Sequence, residues 1–304
     1  MNNNRKYTLY IIDESFEKIE GHLYEYNKSA ADIFKQRGHD VVIYGHKNIE
    51  SAICEELNAR PWFTFDPSSP VRKVPFIGAL IYRWSFWQKL EQELTTLFKK
   101  IRSSGEESLI FFPNVYWYNI WPIAKAISKS ALPVSFLFRT SIFDAIQLPG
   151  FMKPVTLMIT RRAVQKLNKR PGTYAFSDSD VIAEEWTQQF NAPMEVLPIP
   201  HLHSNIKNML PADGERIRMY LPGSMRLEKG ARLLTEAFEI LSHRHPQILK
   251  QITLVTQFPA NDEVLNEYRT RLSALPVENI FLGRLSTEEY NDELRQADVI
   301  LIPY

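Results

Sequence analysis

The stretch YLPGSMRLEKGARLL, residues 220–234, places two basic residues where a predicted strand gives way to a predicted helix. Arg226 lies in the connecting loop, and Lys229 lies where the helix begins. Because a helix N-terminus is the positive end of the macrodipole, cations there do not stabilise the helix itself. Free backbone N–H groups together with two cations are suited to binding a phosphate group. A solvated lysine early in a surface helix explains this stretch alone equally well.

The elements around this stretch repeat an alternation of strand and helix. Predicted strands occupy residues 7–13, 39–45, 108–112, 133–138, 173–177, 194–199, 216–223, 251–257, 277–283 and 298–304. Apolar residues at helical spacing lie between most of these strands, and Ser286 is predicted to cap one of the helices. Residues 51–83 are rich in proline and aromatic residues and are left without a predicted element. Strands separated by helices predict parallel sheets, in which ligands bind at the carboxyl ends of the strands.

Chain length and one polar break predict two domains. A chain of 304 residues is too long for one typical core. The linker is predicted at 201–215, within a segment that holds three prolines and little periodicity. We therefore expect an α/β fold with two Rossmann-like, doubly wound domains at 1–200 and 216–304. The last strand ends the chain without the neighbours that a parallel strand needs, so the second domain is expected to be incomplete.

Composition excludes several classes of protein. A formal net charge of +1 provides no basic field to attract nucleic acid. The single cysteine, Cys54, rules out an intrachain disulfide and favours a reducing compartment. The N-terminus lacks the long apolar run of a signal peptide. The longest uncharged run, 108–124, is short for a membrane span and contains prolines and asparagines. A cytoplasmic protein is expected.

Three groups of residues suggest a metal ion and are better explained otherwise. SDSD at 177–180 contains Asp-x-Asp, but it lies at a predicted helix start, where Ser177 or Asp178 serves as an N-cap. The histidine pairs at 201–203 and 243–245 lack cysteine or carboxylate partners at ligand spacing. No metal site is therefore predicted.

Four segments resemble retaining GT-B glycosyltransferases of the family 4 type. In chain order they are EGHLYEYNKSAADIFKQRGHDVVIYG, FSDSDVIAEEWTQQFNAPMEVLPIPH, PGSMRLEKGARLLTEAFEIL and VENIFLGRLSTEEYNDELRQADVILIPY. Residues 50–105 match the family in outline. The resemblance implies the GT-B fold and transfer of a sugar from a nucleotide-diphospho-sugar to a sugar or lipid-linked acceptor, as in polysaccharide biosynthesis. It further implies retention of anomeric configuration, and neither a metal nor a cofactor besides the donor substrate.

The resemblance also assigns roles to individual residues. Arg226 and Lys229 would neutralise the donor diphosphate, whose negative charge grows as the glycosidic bond breaks. Gly223, and Gly21 in the first loop of the N-terminal domain, would give the backbone room near the phosphates. His22 would reach a sugar or acceptor hydroxyl, although a histidine that starts a surface helix is an equally good explanation.

Two positions differ from the family pattern. The family places an arginine five residues before the lysine; here that residue is Ser224, and Arg226 lies three before. Many relatives carry a histidine at the end of VSFLFRTSIF, where this chain has Arg139. An arginine there would bind a sugar hydroxyl or an acidic group, or would pair with Asp144.

The chain ends before the carboxylate element, E-x(7)-E, that binds donor sugar and ribose in the family. We therefore expect a fragment or truncated product, and the alternative function is a catalytically inactive GT-B module that binds a partner protein or glycan. A weaker alternative is an epimerase acting on nucleotide sugars.

A basic amphipathic segment, MKPVTLMITRRAVQKLNKR, occupies residues 152–170. If the acceptor is lipid-linked, this segment would contact a membrane surface, placing the protein peripherally at the inner membrane face. The alternative, the solvated face of a helix that packs in its domain, is slightly favoured by the sequence alone.

Overall fold

The computed structural model describes residues 6–19, 22–65, 76–142, 152–197, 216–227, 230–258, 263–283 and 285–302. The chain divides into two compact units, Met1–Leu202 and His203–Tyr304. The linker predicted at 201–215 lies outside the described residues.

The first unit contains a seven-stranded sheet in which every pair of neighbouring strands is parallel. Its strands are β1 (Thr8–Ile12), β2 (Asp40–His46), β3 (Ala59–Phe63), β4 (Ser108–Val115), β5 (Val134–Phe138), β6 (Thr173–Ser177) and β7 (Glu195–Val196). Its helices are α1 (His22–Gln36), α2 (Ser51–Leu57), α3 (Phe76–Ser103), α4 (Ile120–Ser128), α5 (Met152–Asn168) and α6 (Asp180–Phe190). The strand order is β3-β2-β1-β4-β5-β6-β7.

Both faces of this sheet are covered, as a parallel sheet requires. Alternate residues of β1 enter different cores, because successive side chains of a strand point to opposite faces. Tyr10 and Ile12 belong to the core that includes residues of α3, α4, α5 and α6. Leu9 and Ile11 belong to the core that includes residues of α1 and α2. This burial explains why β1 reads as an uninterrupted apolar run.

Residues 51–83, left without predicted elements, contain α2 and β3 in full and the start of α3. β3 lies at the edge of the sheet and contains Pro61. A proline has no N–H to donate to a neighbouring strand, and an edge strand tolerates this because it has a neighbour on one side alone. A seven-residue helix and a proline-bearing edge strand are both too short to show a clear period. The sequence prediction therefore missed them.

The N-cap of α6 is Ser179, which corrects the prediction of Ser177 or Asp178. Ser179 has an extended backbone, and its Oγ accepts a hydrogen bond from the backbone N–H of Ile182 at 3.3 Å. Ser177 is fully buried at the end of β6. Asp178 is thereby available for a different contact, described below.

The second unit contains a four-stranded parallel sheet of order β10-β9-β8-β11. Its strands are β8 (Ile217–Ser224), β9 (Ile252–Gln257), β10 (Glu278–Leu282) and β11 (Val299–Ile300). Its helices are α7 (Ala231–Arg244), α8 (Pro246–Leu249), α9 (Glu263–Ser273) and α10 (Thr287–Gln296). Ser286 caps α10 in a capping box with Glu289, as predicted.

The α/β class and the two parallel sheets predicted from the sequence are confirmed. None of the helices in the described ranges combines the length and apolar character needed to cross a bilayer.

Candidate functional site

Polar side chains converge at the carboxyl edge of the first sheet, where the strand order reverses. β1, β2 and β3 extend the sheet in one direction, and β4 to β7 extend it in the other, so the reversal lies between β1 and β4. Such a reversal opens a crevice for ligands in doubly wound sheets. Asp13 and Glu14 follow β1, Asn114 lies near the end of β4, Arg139 follows β5, and Asp178 follows β6. We call these five residues and their partners the edge cluster.

Asp13 is the buried centre of the edge cluster. Its Oδ2 accepts hydrogen bonds from Nδ2 of Asn27 at 2.8 Å and from Nδ2 of Asn114 at 3.0 Å. Its Oδ1 accepts from the backbone N–H of Ser15 at 3.3 Å. Burial raises the pKa of Asp13, and these hydrogen bonds, together with the positive charge of Arg139, oppose that rise. Asp13 therefore ties α1 to the carboxyl ends of β1 and β4.

Glu14 is buried beside Asp13 and has a different partner. Its Oε1 accepts a hydrogen bond from Nδ2 of Asn119 at 2.6 Å. The same amide contacts the backbone oxygen of Asn114 at 3.3 Å, and its Oδ1 accepts from the N–H of Tyr116 at 2.8 Å. Burial, followed by the nearby charge of Asp13, raises the pKa of Glu14 to about 7. The carboxyl group thus exchanges its proton close to neutral pH.

Arg139 is the cation of the edge cluster. Its Nε donates to Oδ2 of Asp178 at 3.4 Å, and its Nη1 donates to Oδ1 of Asn114 at 3.3 Å. Its Cζ lies 5.1 Å from the ring centroid of Tyr26, a cation–π contact. The side chains of Arg139 and Asp178 are 13% and 12% exposed, so this pair reaches solvent while Asp13 does not. The other partner expected for Arg139, Asp144, lies outside the described residues.

The charges of the edge cluster favour hydroxyl groups over an anion. The cluster contains three carboxyl groups and one guanidinium, so it has no net positive charge to attract a phosphate. A sugar hydroxyl can donate to the carboxylate of Asp178 and accept from Arg139, because both side chains keep unused donor or acceptor capacity. The buried layer below, centred on Asp13, fixes the direction of the arginine.

The second sheet presents a loop at the carboxyl end of β8. β8 shifts register against β9 between Leu221 and Ser224, and Gly223 within this shift has φ +81°. That backbone conformation favours glycine. The chain then returns inward, since Met225 is fully buried and its N–H donates to the oxygen of Gln257 at 2.6 Å. The next residue, Arg226, is exposed beside the carboxyl end of β8.

The N-terminus of α7 follows this loop. Its cap is Gly230, at φ +77°, which has no side chain to accept from the first N–H groups of the helix. No acidic residue lies in the first turn of α7. Neither the glycine cap nor the first turn therefore adds negative charge at this positive end of the helix.

The structure describes some of the predicted site residues and not others. Gly223, Arg226 and Arg139 lie at the carboxyl ends of strands, as expected for ligand-binding residues of parallel sheets. Lys229 and Gly21 lie outside the described residues. His22 begins α1, and the orientation of its side chain is not described.

The sequence prediction missed Asp13, Glu14 and Asn119. The available signal was an acidic pair directly after a wholly apolar first strand, and polar amides within an otherwise aromatic and apolar run at 108–124. Both signals become informative once β1 and β4 are known to be neighbours at the sheet reversal.

No protein-family model and no curated protein matches this chain. Several solved structures do match it over nearly its whole length. A trehalose-6-phosphate protein from E. coli, bound with UDP-2-fluoro glucose, matches with a TM-score of 0.56 and 11% identity over 97% of this chain and 78% of that one. The α,α-trehalose 6-phosphate synthase of Burkholderia multivorans matches with a TM-score of 0.57 and 12% identity, over 98% and 78%.

A third structure is the N-terminal domain of Candida albicans trehalose-6-phosphate phosphatase, with a TM-score of 0.61 and 13% identity over 99% of this chain and 77% of that one. At such identities the likeness concerns the fold. Two parallel α/β units, matched over nearly the whole chain, identify that fold: the chain has the GT-B fold, two Rossmann-like domains, found in glycosyltransferases.

Proposed function

We propose that this protein is a glycosyltransferase that moves a sugar from a nucleotide-diphospho-sugar to a sugar or lipid-linked acceptor. The observation that carries the proposal is the position of the PGSMRLEKG stretch within a GT-B fold. It spans the carboxyl end of β8 and leads directly into α7, which is where a parallel sheet of this kind binds a ligand.

The donor diphosphate would bind at the N-terminus of α7. Gly223 gives the loop its left-handed turn, Arg226 is exposed, and the helix end lacks both a side-chain cap and an acidic first turn. These features suit a group with two or more negative charges. Lys229, one residue before the glycine cap, would add the second cation. The structure of the E. coli protein with UDP-2-fluoro glucose makes a uridine nucleotide the first donor class to test.

Arg226 and Lys229 would also stabilise the leaving group during the reaction. The nucleoside diphosphate gains negative charge as the glycosidic bond breaks, and fixed cations stabilise that charge most in the transition state. We propose that transfer is metal-independent, because the cations occupy the role that a divalent ion would fill. Retention of anomeric configuration is proposed on the family 4 resemblance.

The edge cluster would bind the acceptor or the reacting sugar. Arg139 and Asp178 together provide donors and an acceptor for hydroxyl groups, on a frame of buried hydrogen bonds to Asp13 and Asn114. This assignment gives Arg139 the role of contacting a sugar hydroxyl.

Calorimetric titration with UDP, GDP and ADP tests the donor site. We expect one nucleotide to bind, and the Lys229→Ala and Arg226→Ala variants each to lose about tenfold or more in affinity, since charge-assisted hydrogen bonds contribute about 1.5–3 kcal/mol. Lys250→Ala is the matched control, because Lys250 is an exposed lysine elsewhere in the second unit. Absence of binding by the folded chain, or equal losses in all three variants, contradicts the proposed site.

Transfer itself is measured with the matching UDP-, GDP- or ADP-sugar and an array of sugar and lipid-linked acceptors. NMR of the product reports the anomeric configuration, and addition of a chelator tests metal independence. Product of inverted configuration, or activity abolished by chelation and restored by a divalent ion, would overturn those two parts of the proposal.

A further inference from the structure

The exposed face of α5 carries positive charge without compensation. Residues 152–170 contain six basic residues and no acidic residue. The helix contributes Ala163, Val164 and Leu167 to the core of the first unit. Arg161, Arg162, Lys166 and Lys169 are exposed on the opposite side. We call these four residues the cationic face.

Some cations elsewhere in the protein are paired with carboxylates. Lys125 in α4 and Lys129, directly after α4, both contact Glu91. Arg271 of α9 contacts Glu239 and Glu267. On the cationic face, by contrast, no ion pair within the described part of the chain involves Arg162, Lys166 or Lys169. Arg161 donates to the backbone oxygen of Gln189 at 3.0 Å, so it also remains uncompensated by a carboxylate.

Helix stability does not account for the whole of this face. Cations in the last turn interact favourably with the helix dipole, which explains Lys166 and Lys169. Arg161 and Arg162 lie near the middle of α5, where the dipole has little effect. Four like charges on one face repel one another, at a cost of a few tenths of a kcal/mol for each neighbouring pair.

Apolar side chains extend the cationic face towards the start of α5. Val155 and Met158 are 52% and 45% exposed. At 100° per residue both fall on the same side of the helix as Arg162, Lys166 and Lys169. An exposed apolar end combined with a basic face is the pattern of a helix that lies on an anionic bilayer.

A notch of about 450 Å³ opens beside the end of α5. Lys166, Lys169 and Arg170 line it, together with Ser128 and Ser130, and none of the described residues that line it carries a carboxylate. Arg170 is fixed there because its Nη2 donates to the backbone oxygens of Ser130 and Leu132, each at 2.7 Å. Ammonium groups and hydroxyls without a competing acid suit a phosphate monoester or diester.

We propose that the cationic face and this notch bind the surface of an anionic phospholipid bilayer, with a headgroup phosphate at the notch and Val155 and Met158 at the acyl boundary. The long side chains reach the phosphates while their stems cover apolar surface. Binding of this kind does not require glycosyl transfer, so it is independent of the function proposed above.

Vesicle co-sedimentation of the full chain tests the proposal. We expect binding to vesicles that contain phosphatidylglycerol, little binding to pure phosphatidylcholine, and weakening as salt rises. The triple variant Arg162→Ala/Lys166→Ala/Lys169→Ala should bind about a hundredfold more weakly, because each cation near an anionic surface contributes about fivefold. Val155→Ser/Met158→Ser should lower affinity while leaving the salt dependence in place.

A matched control separates the cationic face from overall charge. Lys47→Ala/Arg244→Ala/Lys250→Ala removes the same charge from exposed positions elsewhere and should bind like the wild type. Circular dichroism verifies that each variant is folded, and nucleotide titration verifies that donor binding is unchanged. Equal losses of affinity in both triple variants, or equal binding to neutral vesicles, would overturn the proposal. So would full displacement of the protein from the vesicles by 10 mM inorganic phosphate, measured at a constant ionic strength on the order of physiological salt.

Discussion

Asp13 and Glu14 are adjacent in the sequence and both buried, yet they are held by different amides. Asn27 and Asn114 donate to Asp13, and Asn119 donates to Glu14. Two carboxyl groups this close raise the free energy of the doubly charged state. Protonation of Glu14 relieves that repulsion, so its titration is coupled to the stability of the first unit.

We expect the first unit to lose stability as pH rises through the pKa of Glu14. That pKa is about 7 in the folded protein, against the ordinary 4.5 that applies in the unfolded chain. The folded state therefore binds the proton more tightly, and its stabilising contribution is fully present below the unfolded pKa and lost above the folded one. The difference amounts to at most about 3 kcal/mol.

Urea denaturation at pH 5 and pH 8 measures this effect. All six tryptophans lie in the first unit, so tryptophan fluorescence reports its unfolding alone. Glu14→Gln should reduce the difference in unfolding free energy between the two pH values, whereas Glu25→Gln, an exposed control on α1, should not. An unchanged pH dependence in Glu14→Gln would contradict the role assigned to this carboxyl.

Arg139→Lys should impair the use of acceptor without affecting the donor. Lysine keeps the charge but has a single nitrogen in place of the Nε and Nη1 that donate to Asp178 and Asn114. We expect acceptor KM to rise about tenfold, in line with about 1.4 kcal/mol for one charge-assisted contact. The nucleotide dissociation constant should stay within about twofold. Arg161→Lys, on the cationic face, is the control for acceptor KM.

The residue-scale network could be predicted only in part. Arg139 was identified from the family resemblance, as the residue at the position where many relatives carry a histidine. Asp144, five residues away, was one of the alternative partners and lies outside the described residues. The pairing of β5 with β6 brings Asp178 to Arg139 from 39 residues away. Sequence neighbours are visible to pattern reasoning, and partners supplied by strand pairing are not.

At the scale of elements, sequence prediction succeeded where burial produces a regular spacing or an unbroken stretch of apolar residues. β1 and β9 are wholly buried strands with mostly apolar residues, and α10 is preceded by an N-cap serine with glutamate three residues on, so each follows from local rules. α2 and β3 have too few residues to display a period. α3 begins at Phe76, within the segment 51–83 that was left without a predicted element, because its first turns are mostly apolar and show no amphipathic period.

Replacing the corrected N-cap tests the start of α6. Ser179→Ala removes the acceptor of the Ile182 N–H and should lower the unfolding free energy of the first unit by about 1 kcal/mol. Ser103→Ala, an exposed serine at the end of α3, is the control and should change it by less than about 0.5 kcal/mol. Tryptophan fluorescence in urea measures both. Equal effects would show that Ser179 is not the functional cap.

At the scale of the whole molecule, the cores of the two units have no residue in common among those that the structure describes. Leu254 is fully buried in the second unit, beside Leu221 and Phe238. Leu254→Ala should lower the stability of that unit by about 2–5 kcal/mol. Hydrogen exchange should accelerate in β8 and β9 while β1 and β4 keep their protection. The exposed Leu233→Ala, on α7, should change neither set of strands.

The reversal of strand order between β1 and β4 also sets the sequence of events during synthesis. β1 pairs with β2 soon after both emerge, but its other edge has no partner until residues 108–115 are made. At about 5–20 residues per second, that interval lasts roughly 5–20 s. Asp13 meets Asn114, 101 positions later in the chain, only at the end of it. A nascent chain shorter than this has an unpaired strand edge and carboxyl groups that still lack Asn114 and Asn119, and we expect such a chain to bind chaperones.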